Sequence, residues 1–167
     1  MNKIIIMALL CVSTLAMKPA IVEISGENGG RLNGKAWSSS ELKDKVHVLF
    51  YVDPDEKDLN NHASEALARE KFDLTKYASI AIINMDATWL PNSILEGALE
   101  DKQKKYPNTL YVKDLEKVIV KKWKGIVKDD DSNILVFNKS GNLVYKINGK
   151  ASAAQVKEMI AIIKKNL

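Results

Sequence analysis

The sequence predicts an α/β fold on a central mixed sheet, a βαβ half followed by a ββα half with flanking helices, and three observations predict it. The run Val46–Val52 is nearly continuous apolar and rich in β-branched and aromatic residues, as a strand buried on both faces must be. Ile80–Ile83 repeats that character, and the segment between them carries a helical stripe, so the two strands form a parallel pair with a right-handed crossover. Ile134–Phe137 and Leu143–Ile147, joined by Asn138–Asn142, read as an antiparallel hairpin. A helix with Val156, Met159, Ile160, Ile163 and Leu167 on one face follows it.

The remaining elements fall around this frame. Gly26–Gly34, rich in Gly and Asn, reads as a loop or short hairpin, and Trp37 precedes a short helical turn over Ser38–Leu42. Pro54 stops the first strand, and Asp55 and Glu56 suit the positive end of a helix from about Asp55 to Glu70, with Leu59, Ala63, Ala66 and Leu67 on one face. The second strand ends near Asn84. The loop Asp86–Asn92 leads to a helix that Ser93 and Glu96 cap as a box, and Lys102, Lys104 and Lys105 suit its negative end before Pro107. Thr109–Val112 and Val118–Val120 read as short extended segments, Asp129–Asp131 begins a polar break, and Ser152 with Gln155 caps the last helix. The order of strands and helices is that of the thioredoxin fold.

A composition of 46% hydrophobic and 28% charged residues over 167 positions suits one soluble domain, and the first twenty residues depart from it. Lys3 precedes the apolar run Ile4–Leu10, and Thr14 and Ala16 put small residues where a leader is cut. Residues 1–16 are therefore expected to be a cleaved signal peptide and residues 17–167 a periplasmic domain with no stable membrane insertion after cleavage. An uncut anchor needs about 20 apolar residues, more than this run supplies. A buried N-terminal strand and a lipoprotein cut before Cys11 are the other readings, and bulky Leu10 just before Cys11 argues against the lipid.

Cys11 is the single cysteine, so cleavage leaves neither disulfides nor thiolate chemistry. Loss of Lys3 also lowers the formal charge from +4 to +3, too mild to imply nucleic acid. The lysines at 113, 117, 121, 122, 124 and 128 read as a solvated face, with an acidic partner as the alternative.

Further residues carry a family resemblance: Trp37 with Lys45-Val46, Asn84-Met85-Asp86-Ala87-Thr88-Trp89-Leu90-Pro91-Asn92, Lys102–Pro107, Trp123, and the Asn138–Gly141 turn. Together they resemble the YtfJ family of small periplasmic bacterial proteins, from about Trp37 to the last helix. The resemblance implies a thioredoxin-like fold, a signal peptide and no redox pair. A transcriptional-regulator label sometimes attached to the family finds no support, because the chain shows no helix-turn-helix pattern with a basic recognition helix.

Thioredoxins carry their redox cysteines on the turn after the first central strand, where a helix N-terminus lowers the thiol pKa. Here that turn reads Asp53-Pro54-Asp55-Glu56-Lys57-Asp58, and Ser132-Asn133 stands where the fold usually has a cis-proline. No catalytic residue or cofactor is expected. The acidic turn with His62 nearby invites a metal reading, but it lacks the glycine and final glutamate of an EF-hand loop, and carboxylates at a helix start already act as caps. Asp129–Asp131 reads as a solvated loop and His47 as a structural histidine.

The expected function is a binding or accessory module for a periplasmic protein or peptide, with non-thiol, metal-dependent chemistry at Asp53–Asp58 as the alternative. The candidate surface is Asp53, Pro54, Asp86, Thr88, Trp89 and Asn92, since open α/β sheets bind ligands beyond the C-terminal ends of parallel strands. Trp89, beside Leu90 and Pro91, reads first as a lid over the core and second as an exposed anchor.

Overall fold

The computed structural model describes residues 16–167. Its strands are β1 (Glu23–Ile24), β2 (Gly29–Arg31), β3 (Trp37–Ser38), β4 (Val46–Val52), β5 (Tyr77–Asn84), β6 (Thr109–Asp114), β7 (Ser132–Phe137) and β8 (Leu143–Asn148). The helices are α1 (Asn61–Glu70), α2 (Asn92–Lys105), α3 (Val118–Lys122) and α4 (Ala153–Asn166). Six strands form one sheet in the order β2-β6-β5-β4-β7-β8, with β4, β5 and β6 parallel and the others antiparallel to their neighbours. β4 and β5 with α1, then β7, β8 and α4, are the two expected halves; β6 extends the parallel side.

Alternation along the strands divides the core between two faces. Leu49, Tyr51, Ile80, Ile82, Leu135 and Phe137 point to the face covered by α3 and the N-terminal segment, where Trp37 and Trp123 are buried. On the other face Val46, Val48, Ile134 and Val136 meet Ala63 and Leu67 of α1 and Val156, Met159 and Ile163 of α4. Farther along that face, Leu95 and Leu99 of α2 pack on Met85 and Tyr111. The predicted stripe on the last helix is in place, and Ser152 and Gln155 form its capping box.

Four expectations change. Part of Gly26–Gly34, read as a loop or short hairpin, is β2, paired antiparallel not within the segment but with β6 at the sheet edge. Glycine is required there: at Gly29, with φ +115°, a Cβ would stand 2.1 Å from the Lys113 carbonyl oxygen. The first long helix begins at Asn61 rather than Asp55. Residues 54–56 instead form a 3₁₀ turn capped by Asp53, and the buried Asn60 side chain donates to Ser132 Oγ and Gly149 O (both 3.0 Å) and accepts from Ala151 N (2.9 Å).

The Ser93–Glu96 box does not form. The helix starts two residues earlier, after Pro91, and Glu96 pairs with Lys113 Nζ at 2.6 Å. Finally, Val118–Val120 is helical rather than extended. Its β-branched residues favour a strand, but the Asp114 carboxylate accepts from the free N–H groups of Val118 (2.8 Å) and Ile119 (3.0 Å), the bonds a helix N-terminus needs.

Candidate functional site

Three polar side chains stand in a row where the parallel strands end. The register pairs Val52 with Ile83 and Asn84 with Asp114, so Asp53, Asn84 and Asp114 follow one another across β4, β5 and β6. All three are buried, on the side of the sheet that holds Tyr51, Ile82 and Val112. Asp114 is fully enclosed and accepts Tyr51 Oη–H at 3.1 Å besides the two α3 amides. Burial, reinforced by the Asp114 charge, pushes the Tyr51 phenol far up, so it remains a donor.

Asn84 is less completely matched. Its Nδ2 donates to Asp129 Oδ1 at 3.0 Å, while its Oδ1, on a side chain only 1% exposed, has no partner among the described residues. Asp53 accepts the Asp55 amide at 2.8 Å, and its own N–H donates to Asp131 O at 3.1 Å. Burial raises the Asp53 carboxyl above its usual value; the Asp55 amide opposes this, and the charges of Asp55, Asp130 and Glu56 add to it.

Lys117, three residues after Asp114, donates to Asp129 (3.0 Å), the partner of Asn84, and to Asp130 (3.5 Å). The Asp129 bond holds the ammonium above its usual pKa. Partial burial opposes ionisation of Asp129, but the Lys117 hydrogen bond and charge win, and its carboxyl lies below the usual value. Lys117 and Asp130 both adopt left-handed backbone, at φ +51° and +50°.

The two predicted segments meet beside this row. Thr88 Oγ1 donates to Asp55 Oδ1 at 3.1 Å and accepts the Leu90 amide at 3.4 Å, tying the loop after β5 to the turn after β4. Pro54 is buried, Thr88 is half-buried, and Asp86 and Asn92 are exposed. Trp89 is 86% exposed, which overturns its reading as a lid. Leu90 packs with Met85, Leu95 and Tyr111 instead, and its neighbour on the chain is turned to solvent with Ile94, 57% exposed, on the first turn of α2.

The carboxylates of the turn do not converge. Asp53 caps the 3₁₀ turn, Asp55 holds Thr88, Asp58 holds Asn61 and Lys57, and His62 Nε2 lies 2.9 Å from Ala151 O. Among the described residues no three His, Cys, Asp or Glu side chains are placed to hold a metal ion. His47 is buried with Nδ1 3.0 Å from Lys45 O, and burial lowers its pKa. Of the central lysines, Lys113, Lys117 and Lys121 pair with acids, while Lys122, Lys124 and Lys128 face solvent.

Sequence reasoning did not single out Asn60, Asn84, Asp114 or Asn133 as functional or structural anchors. Asn133 is fully buried, with Nδ2 donating to Tyr51 O (3.3 Å) and Lys128 O (2.9 Å). The available signal was a polar residue at the edge of an apolar run: Asn84 after Ile80–Ile83, Asn133 before Ile134 and Asp114 after Thr109–Val112.

Residues 20–166 match a family described as "Bacterial protein of unknown function (YtfJ_HI0045)". An "Uncharacterized protein" of Haemophilus influenzae strain Rd is 26% identical over 131 residues, 76% of this chain and 70% of the relative. Among solved structures, BsSco, a member of the Sco family of cytochrome c oxidase assembly proteins, aligns with a TM-score of 0.63 at 15% identity, covering 92% of this chain and 95% of its own. A putative thioredoxin from Neisseria meningitidis aligns with a TM-score of 0.62 at 14% identity, covering 90% and 92%. At these identities the likeness shows a thioredoxin-like fold and nothing about chemistry.

Proposed function

The chain belongs to the YtfJ_HI0045 family, and on that premise we propose that it is an exported, non-redox thioredoxin-like protein of the periplasm, binding a protein or peptide through the edge formed by Asp53, Pro54, Asp86, Thr88, Trp89 and Asn92. The observation that carries this reading is Trp89, 86% exposed beyond the C-terminal end of a central parallel strand, with Ile94 also exposed on the first turn of α2. Tryptophan is a rigid, large aromatic enriched among the residues that anchor interfaces. Two features support the non-redox part. Residues 17–167 contain no cysteine, and the turn that holds the redox pair in thioredoxins is here engaged through Asp53 and Asp55 in capping and in holding Thr88. Export rests on the leader pattern of residues 1–16, which apart from Ala16 lie outside the described residues.

A photo-crosslinking amino acid at position 89, installed in the bacterium, tests the binding edge. It should trap a partner that the same group at exposed Lys157 on α4 does not trap. Equal trapping at both positions, or none at either, removes Trp89 from the contact. Intact mass of the exported protein should place Met17 at its N-terminus, and purified protein should reduce insulin no faster than buffer.

A further inference from the structure

Building on the binding edge above, we propose that the segment it receives is cationic, laying an arginine or lysine side chain on the Trp89 indole within a rim of carboxylates. The indole is the strongest aromatic partner for a cation, and at 86% exposure its face is open. Thr88, the residue before Trp89, fixes Asp55 by the 3.1 Å bond, and Asp86 lies exposed three residues before Trp89. Among the described residues none of Asp55, Glu56 and Asp86 belongs to an ion pair. Of the ammonium groups around it, Lys57 is matched to Asp58 at 3.2 Å and Lys117 to Asp129 and Asp130, while Lys102, whose charge acts on Asp58, belongs to no ion pair among the described residues. In a chain of net charge +4 this edge is therefore a local excess of negative charge.

The free groups of the rim are carboxylates, which accept hydrogen bonds, and ammonium and guanidinium carry donors with no acceptor. Solvated carboxylates alone hold a cation weakly, so the rim attracts it and the indole supplies the contact.

The test uses the protein as the cell processes it and three short synthetic peptides of alternating Arg-Ala, Gln-Ala and Glu-Ala, followed through the Trp89 indole N–H resonance. Arg-Ala alone should shift it, with affinity falling severalfold as salt shortens the Debye length from about 10 Å to about 3 Å. Measured by titration calorimetry, since the first variant has no indole at position 89 to follow, Trp89→Ala should weaken Arg-Ala binding about fivefold, and so should the combined Asp55→Asn, Glu56→Gln and Asp86→Asn variant. An unshifted Trp89, an equal shift from Gln-Ala or Glu-Ala, or Arg-Ala binding unchanged in both variants overturns the proposal. The two readings separate cleanly: a partner trapped at position 89 through a neutral or acidic segment removes the cationic inference and leaves the binding edge in place.

Discussion

After β6 the chain turns at Asp114, and after β5 it turns at Asn84; both corners close a buried parallel strand with a polar side chain in the same row of the sheet. At the β6 corner everything is turned inward. Asp114 holds Tyr51 and the start of α3, and α3 delivers Trp123 to the core, 1% exposed, against Phe137 at 5.8 Å between ring centroids and bonded through Nε1 to Ala20 O at 2.8 Å. At the β5 corner Asn84 keeps an unmatched acceptor, and the tryptophan that follows is 86% exposed. The same residue types, a polar strand end and then a tryptophan, serve folding in one place and a surface in the other. What separates them is whether the carboxylate or amide can capture the next helix and pull its aromatic residue over the sheet.

Breaking the inward corner should have the largest effects. Trp123→Ala should cost about 3 to 5 kcal/mol in urea unfolding, through lost burial, the cavity and the orphaned Ala20 carbonyl. Asp114→Ala should cost about 2 to 4 kcal/mol, since it strands two amides and a buried hydroxyl, and the far-ultraviolet spectrum should lose the α3 turn. A loss below about 1 kcal/mol for Asp114→Ala would show that α3 stands without its cap. The outward corner should respond in the opposite sense: Trp89→Ala should leave stability within about 0.5 kcal/mol while abolishing partner capture by a photo-crosslinking amino acid placed at exposed Asn92 on the same edge. Equal destabilisation by the two tryptophan variants would erase the contrast between the corners.

The smallest effect sharpens the comparison through pH. Because burial raises the Asp53 carboxyl in the fold, its ionised form costs stability at neutral pH; that cost fades as pH falls through the folded pKa and is gone below the unfolded value of 3.8. Asp53→Asn keeps an acceptor for the Asp55 amide without the charge. It should therefore be slightly more stable than the parent protein at pH 7 and equal to it below 3.8, as followed by thermal melts across pH. A constant difference at all pH values would assign the effect to shape rather than charge.

Much of this was legible in the chain. Val46–Val52, Ile80–Ile83, the hairpin and the Val156–Ile163 stripe declare themselves because a buried strand or an amphipathic helix needs a particular local order of apolar residues. That order also places the turns after β4 and β5 at one edge, which the Thr88–Asp55 bond makes concrete. Non-local capture decided the rest. Asp114, four residues upstream, made Val118–Val120 a helix against its own propensity, and Asn60 held off the start of α1 by bonding residues 89 and 91 positions away. Leu90 rather than Trp89 filled the space over Met85 and Tyr111, a choice between adjacent apolar residues that no periodicity records. Local pattern by itself determined which segments could be strands and helices and that the turns after β4 and β5 share one edge; tertiary packing decided which polar side chains are captured and which aromatic is left to face solvent, because each of those outcomes depends on partners far along the chain.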